Sequence, residues 1–170
     1  MRNAVFVLAL TSLLAGCTDP PLDIAEGVKL ERFQGRWYEI AKLRRPTQTN
    51  CFGTIAHYTL DRSDALKVVH ECHEDSPDGP LKTSVARAVA SDPDEPAKLS
   101  LDFGMAYGDY WILETGDDYD YAVIGHPSRR YLWILSRAST LPGAVLDGVL
   151  ERSRAKGFPV DELDYTAQPR

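Results

Sequence analysis

Apolar and polar residues alternate along most of the chain, in short runs interrupted by polar stretches rich in Pro, Gly and Asp. The clearest run is Ala97-Lys98-Leu99-Ser100-Leu101-Asp102-Phe103. There Ala97, Leu99, Leu101 and Phe103 share one face and Lys98, Ser100 and Asp102 the other. A period of two is what a half-buried β-strand requires. Comparable runs are Gly35–Leu43, Phe52–Leu60, Leu66–Glu74, Leu81–Ala90, Tyr110–Thr115, Tyr121–Gly125 and Tyr131–Ser136, so the pattern predicts eight strands. The intervals Ser76–Pro80, Ser91–Pro96, Gly116–Asp118 and His126–Ser128 have the composition of tight connections. Regularly spaced strands joined this way predict an antiparallel sandwich or an up-and-down barrel.

The period changes near the C-terminus. Over Ala144–Lys156, Val145, Leu146, Val149 and Leu150 recur at helical spacing, with Glu151, Arg152, Arg154 and Lys156 between or after them. Thr140 is placed to cap this helix, Pro142 suits its first turn and Gly157 its end. Leu163–Thr166 predicts a short ninth strand.

The first residues do not belong to this pattern. Met1-Arg2-Asn3 is short and positively charged, and Ala4–Leu14 is apolar. A bilayer span needs about 20 apolar residues, so this segment reads as a secretory signal. Leu14-Ala15-Gly16-Cys17 follows and resembles the bacterial lipobox. The resemblance implies cleavage before Cys17 and acylation of that residue. Several acyl chains, at about 0.8 kcal/mol per buried methylene, anchor a chain stably. By resemblance to bacterial lipoprotein sorting rules, Thr18 rather than Asp after the cysteine implies sorting to the outer membrane, facing the periplasm. Three parts are therefore expected: a signal peptide (1–16), a lipidated N-terminus and tether (17–27) and a barrel domain (28–170).

Composition narrows the functional classes. Of the 170 residues, 44 % are hydrophobic and 26 % charged, enough for a single core and too unbiased for disorder. The net charge of −6, with Arg44-Arg45 and Arg129-Arg130 as isolated basic pairs, argues against a nucleic-acid partner. Nothing in the sequence sets an oligomeric state.

Besides Cys17 there are two cysteines. Cys51 precedes one predicted strand and Cys72 lies near the end of the next, with Asp61-Arg62-Ser63-Asp64 as the turn between them. A hairpin centred near Asp61-Arg62 sets Cys51 opposite Cys72, and an exported chain sits where disulfides persist. Such a cross-link contributes about 3 kcal/mol in the chain-entropy account. The alternative is two buried thiols. His70 and His73 flank Cys72, but their spacing on a strand forms no closed ligand set. No metal and no cofactor are expected.

The stretch Phe33-Gln34-Gly35-Arg36-Trp37-Tyr38-Glu39-Ile40-Ala41, together with Asp118-Tyr119-Asp120-Tyr121-Ala122-Val123 and Tyr131-Leu132-Trp133-Ile134-Leu135-Ser136-Arg137, resembles three signature regions of the lipocalin family. With the lipobox, the resemblance is to bacterial outer-membrane lipocalins. It implies an all-β fold: an eight-stranded antiparallel up-and-down barrel with one C-terminal α-helix and a short ninth strand. It also implies that Arg137 packs across Trp37 near Gly35 and closes the barrel floor, a structural signature and not a catalytic one.

A barrel of this size holds one small ligand. The resemblance implies a non-enzymatic role, binding a fatty acid or lysophospholipid, with the membrane as the second partner through Cys17. Strand parity puts Glu39 and Ala41 on the face of Trp37, and Trp133 and Leu135 on the face of Arg137. By resemblance Tyr110 aligns with a pocket aromatic. These five are the candidate ligand-lining residues. Trp111 is expected on the outer face, and Arg44 and Arg45 stand where an anionic head group could meet them. Two alternatives stay open. One is a tetrapyrrole carrier using His57 or His70. The other is an enzyme with Cys51 as nucleophile, although no Gly-x-Ser-x-Gly is present and Cys72 would consume that thiol.

Overall fold

All eight alternating runs form strands. A computed structural model of the chain describes residues 20–43, 51–102, 104 and 107–168; Cys17, Arg44, Arg45 and Phe103 fall outside them. The strands are β1 (Gly35–Leu43), β2 (Cys51–Leu60), β3 (Leu66–Glu74), β4 (Leu81–Ala90), β5 (Lys98–Asp102), β6 (Tyr107–Thr115), β7 (Tyr121–Gly125), β8 (Leu132–Ser136) and β9 (Leu163–Tyr165). Two helices accompany them: α1 (Leu30–Phe33), which the alternation did not predict, and α2 (Gly143–Ala155). From β1 to β8 each strand pairs antiparallel with the next, and β8 pairs with β1 to close the sheet. The result is a closed eight-stranded antiparallel barrel. The ninth strand pairs with β1 at Ala41–Leu43.

α1 and the turns after β2, β4 and β6 lie at one end, and β1, β3, β5 and β7 run toward the other. The first end is shut. Phe33, Trp37 and Tyr58 are almost fully buried there. Phe33 stacks on Trp37 at 4.8 Å between centroids and meets Tyr58 edge-on at 5.0 Å. The Arg137 guanidinium lies 3.8 Å from the Trp37 ring centre. Its nitrogens donate to the carbonyls of Arg32, Arg36 and Tyr119 at 2.7, 2.9 and 3.2 Å. Gly35 adopts φ +96°, and a Cβ there would sit 3.3 Å from Arg137 Nη1. Both its conformation and the close approach of Arg137 therefore favour glycine.

Two apolar clusters divide the molecule. One fills the barrel and includes Trp37, Tyr58, Leu66, Val68, Leu99 and Tyr110. The other lies between the outer wall and the C-terminal segment, joining Ile40, Leu113, Val123 and Ile134 to Val149, Phe158 and Val160. The hydrophobic stripe of α2 thus covers one side of the barrel. Pro142 occupies the N-cap position and no side chain caps the helix, so Thr140 does not play the part expected of it. Arg152 also ties α2 to the wall through Glu114, at 2.6 Å.

Cys51 and Cys72 are disulfide-bonded, with Cα atoms 5.4 Å apart. The hairpin geometry that suggested the bond needs correction. The turn spans Asp61 to Ala65, and Cys51 pairs with Glu74 rather than with Cys72. A register shift between Phe52 and Ile55 accompanies the diagonal link.

Arg137 joins three segments through one guanidinium, so Arg137→Ala should lower stability by about 2–4 kcal/mol from lost charge-assisted hydrogen bonds and the cation–π contact. Urea unfolding checks this, as a lower midpoint with the slope unchanged.

Candidate functional site

The inward face of the wall is set by parity, interrupted once in β1. Glu39 pairs with Leu135 on β8, but the next pair is Ala41 with Ile134, so Ile40 is an inserted residue. Beyond such a bulge the faces exchange. Ala41 consequently joins the outer cluster beneath α2 together with Ile40 and Leu43. The expectation that Ala41 shares the inward face of Trp37 is corrected on this ground, because simple alternation cannot register an inserted residue. Lys42 takes the inward place instead, opposite Trp133.

The exchange brings two charges together inside the wall. Lys42 Nζ donates to Glu39 Oε1 at 2.7 Å, and both side chains are only 7 % exposed. The Thr166 hydroxyl donates to the same carboxylate oxygen at 2.6 Å. Removing a charge from water costs several kcal/mol, so a pair this deep persists only with close geometry and further hydrogen bonds, which Thr166 provides. His70 lies on the inward face of β3, between Ala56 and Ser84 on its neighbours. Burial pushes its imidazole pKa below the ordinary 6.5; Glu39 opposes that shift and Lys42 adds to it.

The remaining expected residues do face inward. Tyr110 and Leu135 are buried in the interior cluster, and Trp133 is half-buried against it. The Tyr110 hydroxyl is 2.6 Å from that of Tyr58, and its ring packs 5.4 Å from Trp133, centre to centre. Burial raises the pKa of both phenols. Trp111 packs with the outer cluster, as expected, under the Lys98 ammonium at 5.3 Å. Toward the mouth the lining becomes small. Gly108 shares the inward face of Tyr110, and a Cβ built there would meet nothing within 4 Å.

The interior therefore passes from an aromatic floor, through Leu, Val and Ala side chains, to a polar group of Glu39, Lys42 and His70 toward the mouth. Sequence reading missed Lys42, Tyr58, His70 and Gly108 as lining residues. Parity along β3 from Leu66 would have found His70, whereas Lys42 depends on the bulge. A separate cavity of about 460 Å³ lies outside the barrel, between Leu43, Arg129, Arg130 and residues 161–164. Opposed charges line it, and it touches none of the interior groups. Among the described residues no cluster of His, Cys, Asp and Glu has the makings of a metal site.

Residues 28–168 match the family model described as a lipocalin-like domain. Temperature-induced lipocalin-1 of Arabidopsis thaliana is 34 % identical over 86 % of this chain and 83 % of its own length. Outer membrane lipoprotein Blc of Vibrio cholerae is 29 % identical over 98 % of this chain and 99 % of its own. Among solved structures, insecticyanin from the tobacco hornworm Manduca sexta superposes with a TM-score of 0.68 at 23 % identity, covering 90 % of this chain and 87 % of that one.

Lys42→Met strands the Glu39 carboxylate and should cost about 3–5 kcal/mol, whereas the double change Glu39→Leu/Lys42→Met should recover most of that loss. A urea double-mutant cycle measures both. The lowered pKa of His70 means that the unfolded chain takes up a proton at pH values where the folded barrel does not. Its contribution is complete above the unfolded value and is lost as the pH falls, so stability should decline as the pH drops below about 6.5. His70→Gln should flatten that slope in urea midpoints measured against pH.

Proposed function

Because this chain belongs to the lipocalin-like family, whose members bind small hydrophobic ligands, we propose that it is a non-enzymatic carrier of one amphipathic lipid, a fatty acid or a lysophospholipid. The observation that carries this reading is the polarity gradient inside the barrel. An acyl chain needs an apolar cavity with a few polar groups fixing its head. Here the apolar depth ends at Trp37 and Phe33, and the buried Glu39–Lys42 pair with His70 lies nearer the mouth. Each methylene buried contributes about 0.8 kcal/mol, so chain length should set affinity and the polar group should select the head. Glu39, Tyr110, Trp133 and Leu135 serve as lining residues in this reading, joined by Lys42 and His70.

The membrane is the second partner. Similarity to the Blc outer membrane lipoproteins supports an outer-membrane location in general. Acylation of Cys17, after removal of residues 1–16, supplies the anchor, and 17–27 forms the tether to the barrel. The Cys51–Cys72 bond leaves neither sulfur as a free nucleophile, which disfavours the enzyme reading.

Native mass spectrometry of the protein exposed to a total membrane lipid extract should show one bound lipid per chain; no binding at micromolar concentration would refute the carrier reading. Gly108→Phe adds a ring on the inward face near the mouth, at a backbone position that strains no side chain. It should weaken lysophospholipid binding at least tenfold while leaving the urea midpoint unchanged, with Trp fluorescence titration as the measurement.

A further inference from the structure

We propose that the barrel docks on the bilayer mouth first, so that a lipid passes between membrane and cavity without crossing bulk water. The inference rests on the reading of Cys17 as the acylated residue and adds to it a direction, which the tether determines.

The tether leads from the floor, where Val28, Ala25 and Ile24 pack with the interior cluster, to the outer cluster and then the mouth. At the closed end the backbone N–H of Lys29 donates to the Tyr119 hydroxyl at 2.8 Å. Partway along the wall the N–H of Ala25 donates to the carbonyl of Ile112 on β6 at 2.9 Å. Leu22 is then buried, only 8 % exposed, in the outer cluster with Leu113, Val123 and Phe158. Finally the carbonyl of Pro20 accepts a hydrogen bond from Arg129 Nη2. Arg129 belongs to the β7–β8 connection, at the mouth, and also donates to the carbonyl of Lys156 beyond the end of α2, at 2.8 Å. One guanidinium thus clasps the tether, the rim of the mouth and the exit of the helix.

Cys17 lies three positions before Pro20, a reach of at most about 11 Å when fully extended. β7, which leads from the closed end to the β7–β8 connection, has five residues and is about 17 Å long. An acyl group on Cys17 therefore enters the bilayer beside the mouth, and the floor is out of its reach.

The test uses the acylated protein as purified from membranes, reconstituted in vesicles of phosphatidylethanolamine and phosphatidylglycerol with acceptor-labelled head groups. A donor dye is placed on Ser128→Cys at the mouth or on Asp94→Cys in a closed-end turn; both positions are exposed. Energy transfer should be several-fold greater from position 128. Adding Arg129→Ala, which frees Pro20, should shrink the difference. Equal transfer, or more from position 94, overturns the proposal, and a difference that survives Arg129→Ala overturns the clasp as its cause. The mass of the mature N-terminus separates the two readings. An unacylated Cys17 removes the anchor and the docking direction together, whereas an acylated chain with the closed end nearer the lipid removes the direction alone.

Discussion

One inserted residue in β1 sets both faces of the barrel wall. Ile40 lies between the pairs Glu39–Leu135 and Ala41–Ile134, and the face that β1 turns to the interior changes there. Below the bulge the strand contributes Trp37 to the floor. Above it, Ala41 and Leu43 turn outward to meet the cluster that packs α2 onto the wall. A regular strand would have put Lys42 outside among those apolar side chains, and Ala41 within. The bulge therefore reconciles a continuous outer apolar patch with a charged group inside, and β-bulges commonly re-aim side chains in this way. β6 has a matching irregularity between Ile112 and Glu114. Ile112 there belongs to the interior, while Leu113 joins the outer cluster and Glu114 reaches Arg152 of α2.

The closed end depends on a different economy of groups. α1, the start of β1 and the turn before β7 each bring a backbone carbonyl to the floor, and Arg137 answers all three at once. Its flat cation can also lie on Trp37, which a lysine ammonium could not match in three fixed directions. The floor is thus sealed by polar contacts around an aromatic plug.

The closed end was expected through resemblance: the stretches around Trp37 and before Arg137 resemble family signatures, and that likeness implied the contact between two residues a hundred positions apart, which no local pattern pairs. Strand number, the C-terminal helix and the ninth strand were legible in the residues themselves, as changes of period. The cysteine pairing was reached through a hairpin centre that the structure moves, and the bond forms on a diagonal beside an irregularity in β2. The polar group of the interior was only half legible. Glu39 precedes the bulge and obeys parity; Lys42 follows it and does not. α1 escaped because four residues are too few to show a helical period, and Thr166 because its partner lies 127 positions away.

That distant contact also accounts for where the buried charges sit. β1 and β2 pair over only four residues, Gly35–Tyr38 with Ile55–Tyr58, and then separate. The backbone groups left along the gap need partners, and the C-terminal segment provides them: Thr166 N–H donates to the Ile40 carbonyl and Gly53 N–H to the Ala167 carbonyl. The Gln168 side chain reaches across, donating to the carbonyls of Glu39 and Thr54 at 2.7 and 3.0 Å. A wall mended by a separate segment brings polar side chains to a depth where a continuous strand pair would bring none, and Thr166 uses that position to hold Glu39 toward Lys42. The ion pair and the seam are then one structure. The charges are tolerated inside because the wall is open to the tail there, and the tail is held because it hydrogen-bonds a buried carboxylate, a contact stronger than one between neutral groups.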